Sequence, residues 1–161
     1  MAQKQTLGIL VGGGPAPGIN GVIAAATIEA IDSGLRVIGI PQGYYWLERG
    51  DASHAVELRI PDVSRIHFTG GSILGTSRTN PAREEESLER TLRALEALSV
   101  RYLVCIGGED TTSAAAKIAI PILQCYKQDS HSLCFSLSEF LREDATLLPN
   151  LHVHASHQCF A

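Results

Sequence analysis

Glycine is missing from the last third of this 161-residue chain: all 15 glycines lie at or before Gly108. Beyond Ile120 the balance reverses, and three of the four cysteines and four of the six histidines fall there. The composition therefore divides the chain into residues 1–120 and a divergent tail, residues 121–161, which does not read as a continuation of the same domain. Other absences narrow the function. The formal net charge is −4 with no basic stripe, so no nucleic-acid partner is expected. No stretch approaches the roughly 20 apolar residues of a membrane span, and the apolar run in MAQKQTLGILVGGG is too short for a secretory signal. No membrane partner and a cytoplasmic location are the expectations. Cys105, Cys125, Cys134 and Cys159 lack CxxC spacing, and Cys105 sits in an apolar run as an inert buried thiol would.

What is present is globular in composition, with 45% hydrophobic and 19% charged residues and room for one domain. Leu7 to Val11 is an apolar run ended by glycines, which suits a buried strand. Ile19, Val22, Ile23, Ala26, Ile28 and Ile31 recur at mostly helical spacing over Gly18 to Ser33, with Pro17 in a first helical turn and Gly34 as the closing residue. Leu35 to Ile40 is a second strand. Gly43 to Gly50 gathers three of the nine aromatic residues in a turn or short helical piece, Glu57 to Ile60 reads as an edge strand, and Pro61 to Val63 opens a short helix toward Ile66 and Phe68. Ala82 to Leu98 is amphipathic, with Leu88, Leu92, Leu95 and Leu98 on one face and Arg83 to Glu86 outside. Arg101 to Ile106 is the last clear strand. Alternating strands and helices predict an α/β fold: a Rossmann-like, doubly wound, mainly parallel sheet with helices on both faces. In the tail, Leu133, Leu137, Phe140 and Leu141 share a helical face.

In such sheets ligands bind beyond the carboxyl ends of the strands, where three glycine-containing loops fall. The first is Gly12 to Gly18, GGGPAPG. Its glycines allow close backbone approach to a phosphate and a helix N-terminus follows. It lacks the GK[ST] of a Walker A loop. It also departs from GxGxxG at Pro17, and no acid ends the second strand to hold a ribose, which counts against a dinucleotide site. The second loop, Gly70 to Arg78 (GGSILGTSR), ends in an arginine that suits bidentate phosphate contact or simple solvation. The third is Gly107 to Thr111, GGEDT. Its acids supply oxygen ligands of the kind Mg²⁺ takes together with substrate phosphates, while Asp110 or Thr111 as a helix N-cap is the other open reading.

Together GGGPAPGIN, GGSILGTSR and IGGEDT, in this order, resemble the phosphofructokinase family, with its GGxAPGxN, GGxxLGxxR and GGDxS/T loops. The resemblance covers about Gln5 to Ile120. It implies an incomplete N-terminal domain of that family, with donor phosphates across Gly13 and Gly14, Arg78 on donor phosphate, and Gly108 and Thr111 completing the phosphate site. Glu109 matches the family's Mg²⁺-associated acid, where Asp is usual; one methylene longer, it must retract or reach the ion through water. Asp110 stands where ATP users resemble one another in having glycine, and a carboxylate there repels and crowds an α-phosphate, so pyrophosphate is the preferred donor and ATP the alternative. The implied reaction is phosphoryl transfer to the 1-hydroxyl of fructose 6-phosphate, a step of glycolysis. Ala24 and Ile28 stand where regulated bacterial members carry arginines, so control by an anionic effector is not expected.

The resemblance also implies what is missing. The family's proton-accepting carboxylate lies in a TIDND-type motif after the next strand, where this chain reads IPILQCYKQDSHSLCF; Asp129 has no matching context, and no catalytic residue is assigned. A truncated or frame-shifted product is expected, inactive and poorly soluble alone. Family members are homo-oligomers; this chain's state is open. A non-catalytic phosphate-binding fragment is the alternative. His152, His154, His157 and Cys159 could form a metal site, although an unselected tail yields such clusters unaided.

Overall fold

A computed structural model describes residues 5–125 and 134–136. Its centre is a sheet ordered β3-β2-β1-β4-β5, built from β1 (Thr6–Val11), β2 (Arg36–Ile40), β3 (Val56–Glu57), β4 (Val100–Ile106) and β5 (Cys134–Ser136). All neighbours are parallel except the antiparallel edge pair β2 and β3. The helices are α1 (Ile19–Asp32), α2 (Ile60–Val63), α3 (Glu85–Ala97) and α4 (Glu109–Cys125).

Strand β1 is buried along its whole length because it is central and covered on both faces, the environment in which an unbroken apolar run is stable. Side chains alternate between two cores. Leu7, Ile9 and Val11 join Val37, Ile106 and the α1 residues Ile19 and Ile23 on one side; Leu10 joins Ile38, Ile40, Leu103, Leu95 of α3 and Ile118 of α4 on the other. Each fully buried aliphatic side chain contributes about 1.5–3 kcal/mol, so the two-sided core carries the doubly wound architecture expected from the sequence.

Several boundaries differ from the sequence reading for identifiable reasons. Helix α1 starts at Ile19 behind Gly18, which adopts φ 87°, so Pro17 precedes the helix instead of occupying its first turn. At the other end Gly34, at φ 85°, donates its N–H to Ile31 and Leu35 donates to Ala30, a Schellman closure. The edge strand is Val56–Glu57 and not Glu57 to Ile60. Arg59 and Asp62 form a capping box that starts α2 at Ile60. Pro81–Arg83 is a separate 3₁₀ turn, so the amphipathic helix begins at Glu85, with Leu95 buried and Leu88, Leu92 and Leu98 packed beside the core.

Helix α4 runs through the composition boundary at Ile120 to Cys125. Residues 134–136, inside the stretch read as an amphipathic helix, instead form a strand paired with β4. The remainder of that stretch, Asp129, and the histidines and cysteine near the end lie outside the described residues.

Candidate functional site

The three glycine loops meet at the carboxyl ends of β1 and β4. Gly12 donates its N–H to the Ile106 carbonyl at 2.8 Å, and Gly13 donates to the Ser77 carbonyl at 2.7 Å. Gly12 and Ser77 also form an isolated parallel bridge, so the first loop is tied to both others. Gly13 needs its φ of 85°, a left-handed conformation that side chains resist.

Glycine at positions 12 and 107 has a different cause. A Cβ on Gly12 would overlap the Thr111 side chain, and one on Gly107 would lie 2.5 Å from Thr111 Oγ1 and 2.8 Å from the Gly12 carbonyl. Thr111 is buried in the seam that these two glycines leave open.

The second loop is held from below. Asn20, buried at the start of α1, donates from Nδ2 to the Thr69 carbonyl and accepts from the Ile73 N–H, both at 2.8 Å. Gln42 donates its N–H to the Leu74 carbonyl at 2.7 Å. These bonds fix the base from which Ser77 and Arg78 project.

The result is a cleft of about 370 Å³. Of the residues expected from the sequence, Gly13, Arg78, Gly108, Glu109, Asp110 and Thr111 all line it, and Gly14 lies outside the lining. Ser77, Thr79 and Arg83 line it as well and were not expected. Arg83 comes from the Pro81–Arg83 turn, whose first N–H is satisfied by Asn80: Ala82 donates to Asn80 Oδ1 at 3.0 Å. The NP pair is the one trace of that turn in the sequence.

Helix α4 begins at Glu109, so Asp110 and Thr111 stand inside its first turn instead of capping it. Free N–H groups and the positive end of the helix dipole therefore face the cleft together with two acids. Beneath this turn lies Tyr44, its hydroxyl 3.3 Å from Cys105 Sγ and donating to the Thr111 carbonyl at 3.4 Å. Cys105 is buried, as its apolar context predicted.

Two carboxyls away from the cleft are held below the usual aspartate range. Asp62 owes this to the Arg59 guanidinium and then to the Arg59 N–H; Asp51 owes it to the Ser53 hydroxyl and then to the Ser53 N–H. Both stabilise local turns.

Chemically, the cleft sets Arg78, Arg83 and a helix N-terminus against Glu109 and Asp110. A bare polyanion would meet the two carboxylates unscreened. An anion carrying a divalent cation matches both charges. Among the described residues no group of three or more His, Cys, Asp or Glu side chains forms a metal cage. Mg²⁺ needs none, since it binds one or two carboxylates and fills its shell with phosphate and water, so this donor set fits it.

A family model for phosphofructokinase matches residues 6–126. The pyrophosphate–fructose 6-phosphate 1-phosphotransferase of Thermotoga maritima is 58% identical over 116 residues, which cover 72% of this chain and 28% of the relative. An ATP-dependent 6-phosphofructokinase of Alkaliphilus metalliredigens is 34% identical over 115 residues, 71% of this chain and 35% of the relative. The solved structure of Pichia pastoris phosphofructokinase in the T-state matches with a TM-score of 0.69 at 24% identity, over 84% of this chain and 16% of that one, a likeness of fold. The chain thus spans about a quarter to a third of the length of the curated relatives. No described helix is long and apolar enough to cross a membrane.

Proposed function

Since the chain belongs to the phosphofructokinase family, we propose that its cleft is the donor half of a phosphotransferase site, binding Mg²⁺-pyrophosphate for transfer to the 1-hydroxyl of fructose 6-phosphate. One observation carries this: loops far apart in sequence place Arg78, Arg83, a helix N-terminus and the Glu109–Asp110 pair around a single cleft.

In this reading Arg78 and Arg83 neutralise phosphate oxygens, bidentate contact fixing their orientation. The Gly13 region and the first N–H groups of α4 receive the remaining oxygens. Glu109 holds Mg²⁺, which when bound screens charge on the transferring group. Phosphoryl transfer asks little more of the donor side than such positioning and neutralisation. Asp110 narrows the donor, because its carboxylate occupies the first turn of α4 where a nucleotide's α-phosphate would add a further negative charge. The relative at 58% identity carries pyrophosphate in its name and the one at 34% carries ATP, which favours the same assignment.

By the family resemblance the proton acceptor for the sugar hydroxyl belongs to an acidic motif just after the next strand, and this chain has no such motif. IPILQCYKQDSHSLCF in place of the acidic motif favours a second reading, donor binding without turnover by this chain alone.

Isothermal titration of the chain with Mg²⁺-pyrophosphate and with Mg²⁺-ATP tests both. Heat with pyrophosphate alone, reversed in preference by Asp110→Gly, supports the donor assignment. Heat with neither removes it. Fructose 1,6-bisphosphate formed by the wild-type chain would overturn the reading of binding without turnover.

A further inference from the structure

Arg83 reaches the cleft from a turn of three residues, and such a turn holds a long side chain in place only if its own backbone is fixed. The backbone of Ala82, immediately before Arg83, is fixed at both polar groups. Its N–H donates to Asn80 Oδ1 at 3.0 Å, and its carbonyl accepts from Lys117 Nζ at 3.0 Å. Lys117 belongs to α4, seven positions after Asp110, so the two lie on the same side of the helix. The helix that presents Glu109 and Asp110 to the cleft is thereby tied to the turn that presents Arg83 across from them. Pro81 packs as a buried residue in the same turn, and the Lys117 bond is a polar link between the two elements at this point.

We propose that Lys117 is a positioning residue for the donor site: through the Ala82 carbonyl it sets the distance between Arg83 and the first turn of α4, and so tunes affinity for a diphosphate bound with its divalent cation. The proposal rests on the donor-site reading above. Lys117 does not touch the cleft and serves as no ligand, since it is absent from the lining while Arg83 is part of it. An exposed lysine bonded to one carbonyl adds little to folding stability. Displacing a phosphate-binding arginine by even a fraction of its reach weakens binding far more than it weakens the fold.

The test is titration of the full 161-residue chain with Mg²⁺-pyrophosphate across a double-mutant cycle of Lys117→Met and Arg83→Gln, with Lys117→Arg as the rescue. Lys117→Met is expected to weaken binding about five- to tenfold, Lys117→Arg to restore most of it, and Lys117→Met to have no further effect once Arg83 is Gln. Urea midpoints of Lys117→Met and wild type should coincide. Equal loss in both Arg83 backgrounds, or loss that tracks the urea midpoint, overturns the positioning role. Unchanged affinity in Lys117→Met overturns it as well, with the donor site intact. A wild-type chain that binds no pyrophosphate removes the donor site itself, an outcome visible before any variant is made.

Discussion

Replacing Gly12 by alanine adds one methyl group to a seam with no room for it. The new Cβ would overlap the Thr111 hydroxyl, stand 2.8 Å from its Cγ2 and 3.1 Å from its Cβ. Separations under 3 Å between such atoms require movement, and each escape has a cost. Thr111 is itself buried, and its main chain belongs to the first turn of α4; the Gly12 N–H is bonded to Ile106. Overpacking of this kind costs about 1–3 kcal/mol, which at an ordinary urea slope lowers the unfolding midpoint by about 1 M. The backbone at Gly12 is not left-handed, so the penalty comes from contact and not from strain. Truncating the obstacle isolates that cause: Thr111→Ala removes the hydroxyl and Cγ2, and the double variant Gly12→Ala/Thr111→Ala should be no less stable than Thr111→Ala alone. A coupling equal to the whole Gly12→Ala cost, about 1–3 kcal/mol in the rescuing direction, is expected. Urea melts followed by circular dichroism and by fluorescence of the single tryptophan, Trp46, measure all four proteins. A Gly12→Ala midpoint equal to wild type, or strictly additive losses in the double variant, would refute the seam.

Two other outcomes follow from one side chain beneath the site and one away from it. Tyr44→Phe removes the hydroxyl that donates to the Thr111 carbonyl and lies beside Cys105, and should cost about 1 kcal/mol in the same melts while leaving the helical signal intact; a loss under 0.3 kcal/mol would mean the contact is idle. Asp62, whose carboxyl is held low by Arg59, contributes stability that is present above the ordinary aspartate range and lost as pH falls through its lowered value. Asp62→Asn should therefore flatten that acid limb, and an unchanged profile would show that the capping box carries no linked proton.

The fold was readable where the chain announces itself by period. Strands β1 and β4 are apolar runs ended by glycine, β2 is a mostly apolar run ended by Pro41, and α1 and α3 have a buried stripe. Edges were less so. The extent of β3 depends on Arg59 and Asp62 closing a capping box on each other, a choice that local propensity for a strand does not reveal. In the site, the three loops were legible through their combination and order, since the second and third taken alone left a solvated arginine or a helix cap as an equal reading. Arg83 was not. It sits in a charged stretch that looks like a solvated helix end, and the turn that carries it is held by Asn80 and by Lys117 of a sequence-distant helix, contacts that no local pattern announces. Tyr44 was hidden for a similar reason, since an aromatic in a run of three gives no sign of which member is buried.

The central place of β1 has a consequence for how the molecule assembles in time. Leu7 pairs with Val37 on one side and with Tyr102 on the other, so one joint closes a short excursion of the chain and the other a long one. Closing the longer loop costs more chain entropy before any contact repays it, and topologies dominated by distant pairings fold more slowly. The cleft hangs on the distant joint, through Gly12 against Ile106 and Thr111 against both glycines. Local β1–α1–β2 structure can therefore exist before there is anywhere for a phosphate to bind, and the slower of the two closures sets when this protein gains a site.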